Sequence, residues 1–199
     1  MGYLFVISGP SAVGKTTVVN HLMKKNPQFK RVITCTTRSI RPHEENGVDY
    51  IFLSKEEFVK KIEKNEFAEY SEVYGNYYGV LLKTIKENME KNDVSILVIN
   101  WEGFLKIKKS IAKNVFGIFI NPPSIDELRK RIKKRNSENE NDLEKRMNSA
   151  IIDMNHSTEY DFVIKNFQIH SASKKIFKII NGVVKSENSY GVYPFTFFM

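Results

Sequence analysis

Residues 9–16 read G-P-S-A-V-G-K-T, a complete match to the pattern G-x-x-x-x-G-K-[ST]. Each fixed position has a chemical reason. Gly9 and Gly14 allow a tight backbone turn and leave room for phosphate oxygens. The loop's N–H groups, and the N-terminus of the helix expected after it, point at the anion. Lys15 reaches the outer phosphates, and the Thr16 hydroxyl ligates Mg2+. The expected triphosphate-binding segment is Gly9, Pro10, Ser11, Ala12, Val13, Gly14, Lys15, Thr16 and Thr17. An ordinary glycine-bearing turn with a chance lysine is the plainer explanation, but four fixed residue types and the flanking elements weigh against it. The motif locates a nucleoside triphosphate and does not say what receives the phosphate.

A second group of residues addresses the acceptor. Arg38 and Arg41, three apart, converge on one anion if both side chains turn inward. The guanidinium fork suits phosphate oxygens. Tyr50 and Tyr78 can each donate a hydroxyl to the same phosphate. Glu69 can choose a base, because a carboxylate accepts two parallel hydrogen bonds and guanine offers N1–H and N2–H2 side by side. Adenine offers an acceptor at N1 and no 2-amino group. Sites that rely on such pairing discriminate by about 10⁴ or more. Taken singly, each residue has an ordinary explanation: solvated arginines, a packing tyrosine pair, a surface glutamate. The joint pattern moves the odds.

These residues need elements to hold them. Apolar runs recur at Leu4–Ile7, Val94–Ile99 and Val115–Ile120, with a shorter one at Phe162–Ile164. Fully apolar strands separated by helical stretches predict a parallel sheet covered on both faces. A helix is expected over Thr16–Lys25. Ser54-Lys55-Glu56-Glu57 and Ser124-Ile125-Asp126-Glu127 are capping-box patterns. Asp142 is an expected cap for a helix with Leu143, Met147, Ala150, Ile151 and Met154 on one face, and Ser171 for the last helix, with Ile176, Ile179 and Ile180 inward. Residues 34–90 and the strongly charged 124–146 interrupt this rhythm and read as insertions on one core. The tail, Tyr190–Met199, is apolar enough that packing on the body or on a second subunit is expected.

Composition bounds the function classes. The 199 residues are 41% hydrophobic and 27% charged, which suits one soluble globular domain. No apolar run approaches the roughly 18 residues of a membrane span. The run at residues 3–7 lacks a basic leader and a cleavage site, so no signal peptide is expected. Val6 stands where a myristoylation signal wants Ser or Thr. The lone Cys35 excludes an internal disulfide and fits a reducing cytoplasm. The net charge of +8 attracts anions, free nucleotides included. With no interleaved basic and aromatic stripe, neither nucleic acid nor a membrane is an expected partner.

G-P-S-A-V-G-K-T, T-T-R-S-I-R-P-H-E-E-N-G-V-D-Y-I-F and G-N-Y-Y-G, in this order and spacing, make the chain resemble guanylate kinases. The resemblance runs from about Leu4 to Asn166, and the two middle motifs are specific to that family. It implies a P-loop kinase of the α/β class: a three-layer core with a parallel sheet at about 1–33, 91–123 and 147–199, a mixed α/β GMP-binding insertion at about 34–90 and a helical lid at about 124–146. It implies ATP + GMP → ADP + GDP with Mg2+, in a monomer or homodimer. By matching positions, Arg38, Arg41, Tyr50 and Tyr78 hold the GMP phosphate, Glu69 reads guanine N1 and N2, and Thr34 donates to O6. Arg131, Arg135 and Arg146 join Lys15 around the transferring group. The acceptor oxygen of GMP is already ionised at neutral pH, so no general base is needed.

Three positions depart from the family pattern. Val98 and Asn100 stand where carboxylates are usual at a strand end, leaving Asn100 on the GMP side with hydrogen bonds but no charge. Glu102 stands at a glutamine position and is expected to restore part of the charge near the metal. Val80 replaces a hydroxyl residue, a loss of about 0.5–1.5 kcal/mol and so of roughly tenfold in GMP binding. These departures favour an alternative, a non-catalytic guanylate-kinase-like binding module; the complete phosphate loop and the lid arginines oppose it.

Overall fold

The four apolar runs become four strands of one sheet. The structure is a computed structural model and describes residues 1–73, 75–111, 113–135 and 140–189. The strands are β1 (Tyr3–Ser8), β2 (Lys30–Arg31), β3 (Cys35–Thr36), β4 (Ile51–Phe52), β5 (Phe67–Val73), β6 (Asn76–Leu81), β7 (Val94–Val98), β8 (Val115–Asn121) and β9 (Phe162–Lys165). The helices are α1 (Lys15–Lys25), α2 (Lys55–Glu63), α3 (Leu82–Lys91), α4 (Trp101–Ser110), α5 (Ile125–Arg135), α6 (Glu140–Asn155) and α7 (Ile169–Ser189), with a 3-10 turn at His156–Glu159.

The first sheet has the order β2-β7-β1-β8-β9, with every pairing parallel. Residues of β1 alternate between its two faces, as strand geometry requires. Phe5 and Ile7 pack with Val18, Val19 and Leu22 of α1 and Ile176 and Ile180 of α7. Leu4 and Val6 pack with Ile85 and Met89 of α3 and Phe104 and Ile107 of α4. These side chains are almost wholly buried. Each is worth about 1.5–3 kcal/mol, so the central strand is anchored from both sides. The carboxyl ends of β1, β7 and β8 meet at one edge, which is where open α/β sheets take their ligands.

The second sheet, β4-β3-β6-β5, is mixed: β3 and β4 are parallel, and β6 pairs antiparallel with both β3 and β5. It is covered by α2, whose buried Phe58 stacks on Phe67 at 4.2 Å between ring centroids and on Tyr77 at 5.3 Å. The capping box expected at Ser54 is complete: Glu57 N–H donates to Ser54 Oγ at 3.1 Å, and Ser54 N–H donates to Glu57 Oε2 at 2.7 Å. At Ser124, Glu127 N–H donates to the hydroxyl at 3.1 Å, while the Glu127 carboxylate accepts instead from Arg131.

Two caps differ from expectation. The last helix starts at Ile169, and Ala172 N–H already donates to Gln168 O at 3.0 Å, which puts Ser171 inside the first turn. Similarly α6 starts at Glu140, so Asp142 lies within it. The apolar tail 190–199 lies outside the described residues. Among the described residues no helix is long and apolar enough to cross a membrane.

Candidate active site

The phosphate loop leaves β1, the middle strand of the parallel sheet, and is wedged between neighbours. Gly9 has φ +146°, and a Cβ there would stand 2.3 Å from Ile120 O of β8. Gly14 has φ +99° and ends the loop as the N-cap of α1. A Cβ on Gly14 would meet Asn166 Nδ2 at 2.9 Å. Asn166, just after β9 and buried, donates that amide to Val13 O at 2.8 Å. Sequence reasoning had no reason to single out Asn166, because the contact joins residues 153 apart. Lys15 Nζ donates to Gly9 O at 2.6 Å and to Pro10 O at 3.0 Å, so the loop's own carbonyls hold the ammonium over it. Pro10 and Val13 are buried beneath the loop, and Thr16 and Thr17 are exposed at the start of α1.

A cavity of about 720 Å³ opens from this loop toward the second sheet. Gly9, Ser11, Lys15 and Thr16 line it on one side. Thr34, Tyr50, Glu69, Tyr78 and Asn100 line it on the other. Thr17, on α1, is not part of the lining.

Glu69 is the most constrained acceptor residue. It is 5% exposed, and its Oε2 is buried with no hydrogen-bond partner among the described residues. Burial pushes its pKa up to about 7; Lys106 opposes the rise and the Glu102 carboxylate adds to it. A buried carboxylate with an unpartnered oxygen gains most from a ligand that offers two donors. Tyr50 and Tyr78 stand edge to face, 6.4 Å between centroids, and burial raises the Tyr50 hydroxyl above its ordinary value.

The two arginines do not converge on the cavity. Arg38 gives both hydrogen bonds of one nitrogen to Glu44, at 2.9 and 3.0 Å, and lies 5.6 Å over the Tyr50 ring. Glu44 also accepts from the Arg41 backbone N–H at 2.9 Å, and the Arg41 side chain is exposed. Although burial works against it, these donors hold the Glu44 carboxyl below its usual range. Glu44 thus takes the position of an anion between the two arginines, where a phosphate is expected from the residue types.

Asn100 has a structural duty. Its side-chain oxygen caps α4 by accepting from Gly103 N–H at 3.0 Å. Val80 is buried in the cluster that holds Leu97, Ile99 and Phe104, and it is not among the residues that line the cavity. Arg146 lines the cavity from α6, whereas Arg131 Nε donates to Glu127 at 2.9 Å along α5. The Arg135 side chain lies outside the described residues.

The metal expected at Thr16 can be tested against its surroundings. Among the described residues no three Asp, Glu, His or Cys side chains form a ligand group of their own. Oxygen donors do face the same cavity: the Thr16 hydroxyl and the carboxylates of Glu102 and Asp153. Mg2+ prefers oxygen, keeps several waters and leans on substrate phosphates, so this sparse set fits it.

Residues 1–182 match the family model described as guanylate kinase. The guanylate kinase of Caldanaerobacter subterraneus subsp. tengcongensis is 42% identical over 179 residues, covering 90% of this chain and 86% of the relative. That of Clostridium acetobutylicum is 44% identical over 179 residues, covering 90% and 85%. The crystal structure of guanylate kinase from Anaplasma phagocytophilum superposes with a TM-score of 0.75 at 33% identity, over 91% of this chain and 85% of that one.

Proposed function

Given that the chain belongs to the guanylate kinase family and transfers a phosphoryl group from ATP to GMP, we propose that one cavity holds both substrates, ATP at the phosphate loop and GMP at Glu69. The observation that carries this division is the shared lining: Lys15 and Thr16 face the same space as a buried carboxylate with an unpaired oxygen.

On this reading the loop and Lys15 fix the triphosphate. Glu69 accepts from guanine N1–H and N2–H2, and Thr34 donates to O6. Asn100 spends its oxygen on α4 and has its amide N–H2 for the acceptor side. The phosphate of GMP draws Arg38 from Glu44, joins Arg41, and takes the hydroxyls of Tyr50 and Tyr78. An incoming dianion competes well for a guanidinium already paired with a carboxylate, because only the partner changes. The attacking oxygen is ionised, so alignment and positive charge supply the catalysis. Lys15, Arg131, Arg135 and Arg146 are the catalytic cations, with Arg131 leaving Glu127 as the lid closes. Closure excludes water that would otherwise accept the phosphoryl group. Mg2+, held by Thr16 and the triphosphate, neutralises developing charge when bound. Glu102 adds negative charge beside it.

The working parts are a core at about 1–33, 91–123 and 147–199, a GMP-binding segment at about 34–90 and a lid at about 124–146, in a cytoplasmic monomer or homodimer. The test is ADP formation from ATP with GMP, dGMP, AMP, CMP and UMP offered separately, for the wild type and Glu69→Ala. The wild type is expected to use GMP and not AMP, and the variant to lose much of that preference. Selectivity that survives Glu69→Ala would remove Glu69 from the base-reading role.

A further inference from the structure

The end of β7 brings no charge to the phosphate loop. Val98 is apolar, and Asn100 is a neutral amide whose oxygen is committed to Gly103 N–H. Negative charge nevertheless reaches Lys15, and it comes from a helix. Asp153 lines the cavity together with Lys15, Thr16 and Glu102. Its carboxylate interacts with the Lys15 ammonium, the Glu102 carboxylate and the His156 ring, and it is half-buried.

The placement is firm. Asp153 follows Arg146 by two helical turns, so both emerge on one face of α6, and both line the cavity. The adjoining face buries Met147 and Ala150 against Leu128 and Ile132 of α5, and Ala12 of the phosphate loop packs on the same cluster. The helix that carries Asp153 is therefore keyed into the loop that carries Lys15. The 3-10 turn that follows is pinned as well: His156 stacks on Trp101 at 3.5 Å and 7°, and its Nδ1 is 2.7 Å from Glu159 Oε1. An acidic side chain held at this spot, partly desolvated and beside a cation, has a poor solvation state by itself. It improves on gaining a second cation or its water shell.

Resting on the assignment of Thr16 as the Mg2+ ligand, we propose that Asp153 is a positioning residue for the metal, accepting hydrogen bonds from the ion's water shell. It thereby supplies from α6 the carboxylate that β7 does not. The plain alternative is that Asp153 serves only as an ion-pair partner of Lys15.

The two are separated by metal binding without turnover. Mn2+, replacing Mg2+, is titrated by electron paramagnetic resonance into protein saturated with a non-hydrolysable ATP analogue. Asp153→Asn keeps the side-chain shape and is expected to weaken Mn2+ binding about tenfold, as loss of an outer-shell partner does. Asp153→Glu is expected to restore most of it. Analogue affinity measured in EDTA is expected not to fall in Asp153→Asn, since a negative charge facing phosphates has been removed. If Asp153→Asn binds Mn2+ within about twofold of the wild type, the proposal is wrong. It is equally wrong if analogue affinity in EDTA drops as far as metal affinity, since Asp153 would then act on Lys15. Asp153→Ser repeats the comparison if the Asn variant unfolds, as judged by thermal melting. A wild type that shows no metal-dependent gain in analogue affinity would overturn the Thr16 assignment beneath the proposal, a result distinct from a failure of Asp153 alone.

Discussion

Glu69 lies against Gly103 so closely that a side chain at 103 would push its carboxylate aside. A Cβ built on Gly103 would stand 2.7 Å from Glu69 Cδ and 2.9 and 3.0 Å from its two carboxylate oxygens. Glycine inside a helix normally costs about 0.5–1 kcal/mol relative to alanine. Here it is the condition for seating the carboxylate over the first turn of α4. Gly103→Ala is therefore expected to raise KM for GMP about tenfold or more while leaving KM for ATP near its wild-type value. Steady-state kinetics with each substrate varied in turn decides it; equal rises in both constants would mean a general distortion.

Acidity should govern GMP binding. On the proposed reading only the ionised Glu69 accepts both hydrogen bonds from guanine, and burial pushes its pKa up to about 7. Above that value the carboxylate is ready; below it a proton must be displaced first. GMP affinity is expected to be flat at alkaline pH and to fall about tenfold per pH unit well below the pKa. Because the Glu102 charge contributes to the raised value, Glu102→Gln moves this limb to lower pH. Calorimetric titration of GMP across pH 5–9, about two units either side of the pKa, checks both statements. Stability moves the other way: the folded value exceeds the ordinary 4.5, so the native state holds the extra proton and gains stability as pH falls from about 7 toward 4.5.

Asn166→Ala removes the 2.8 Å hydrogen bond to Val13 O and leaves a loop carbonyl without its donor. The expected loss of stability is about 1–3 kcal/mol. KM for ATP should rise, and KM for GMP should change little, because the clamp touches only the triphosphate loop. Thermal melting and substrate-by-substrate kinetics measure the two effects.

Lys15→Ala is expected to abolish turnover while GMP binding survives. The ammonium belongs to the loop, where Gly9 O and Pro10 O hold it, and Glu69 lies among the acceptor residues. Loss of GMP binding in this variant, measured by calorimetry, would contradict the division of the cavity into two substrate sides.

The parallel sheet was legible because its strands are continuous apolar runs, and the loop between β1 and α1 because four fixed residue types share one short segment. Glu69, Tyr50 and Tyr78 were legible as chemistry, and the cavity gathers them. What escaped the sequence depends on partners distant in the chain. Asn166 acts on Val13, Asp153 faces Lys15, and Gly103 makes room for Glu69, none of which leaves a local pattern. Asp153 did leave a faint trace, two turns from Arg146 on a helix whose apolar face was recognised. The arginines carry a different lesson. Their types predicted an anion between them, and Glu44, six residues from Arg38, is an anion the chain itself provides.

The stack of Trp101 on His156 has a practical consequence. The chain contains one tryptophan, and that ring lines the cavity, in the first turn of α4, against the turn that ends α6. All indole emission from this protein therefore originates at the junction between its nucleotide-binding cleft and the helix that carries Arg146 and Asp153. The His156 ring lies against the indole at 3.5 Å and 7°, so parting or tightening the stack changes the surroundings that set the indole's emission. The molecule carries a built-in optical gauge, and stopped-flow fluorescence of the unlabelled protein can time each substrate's arrival.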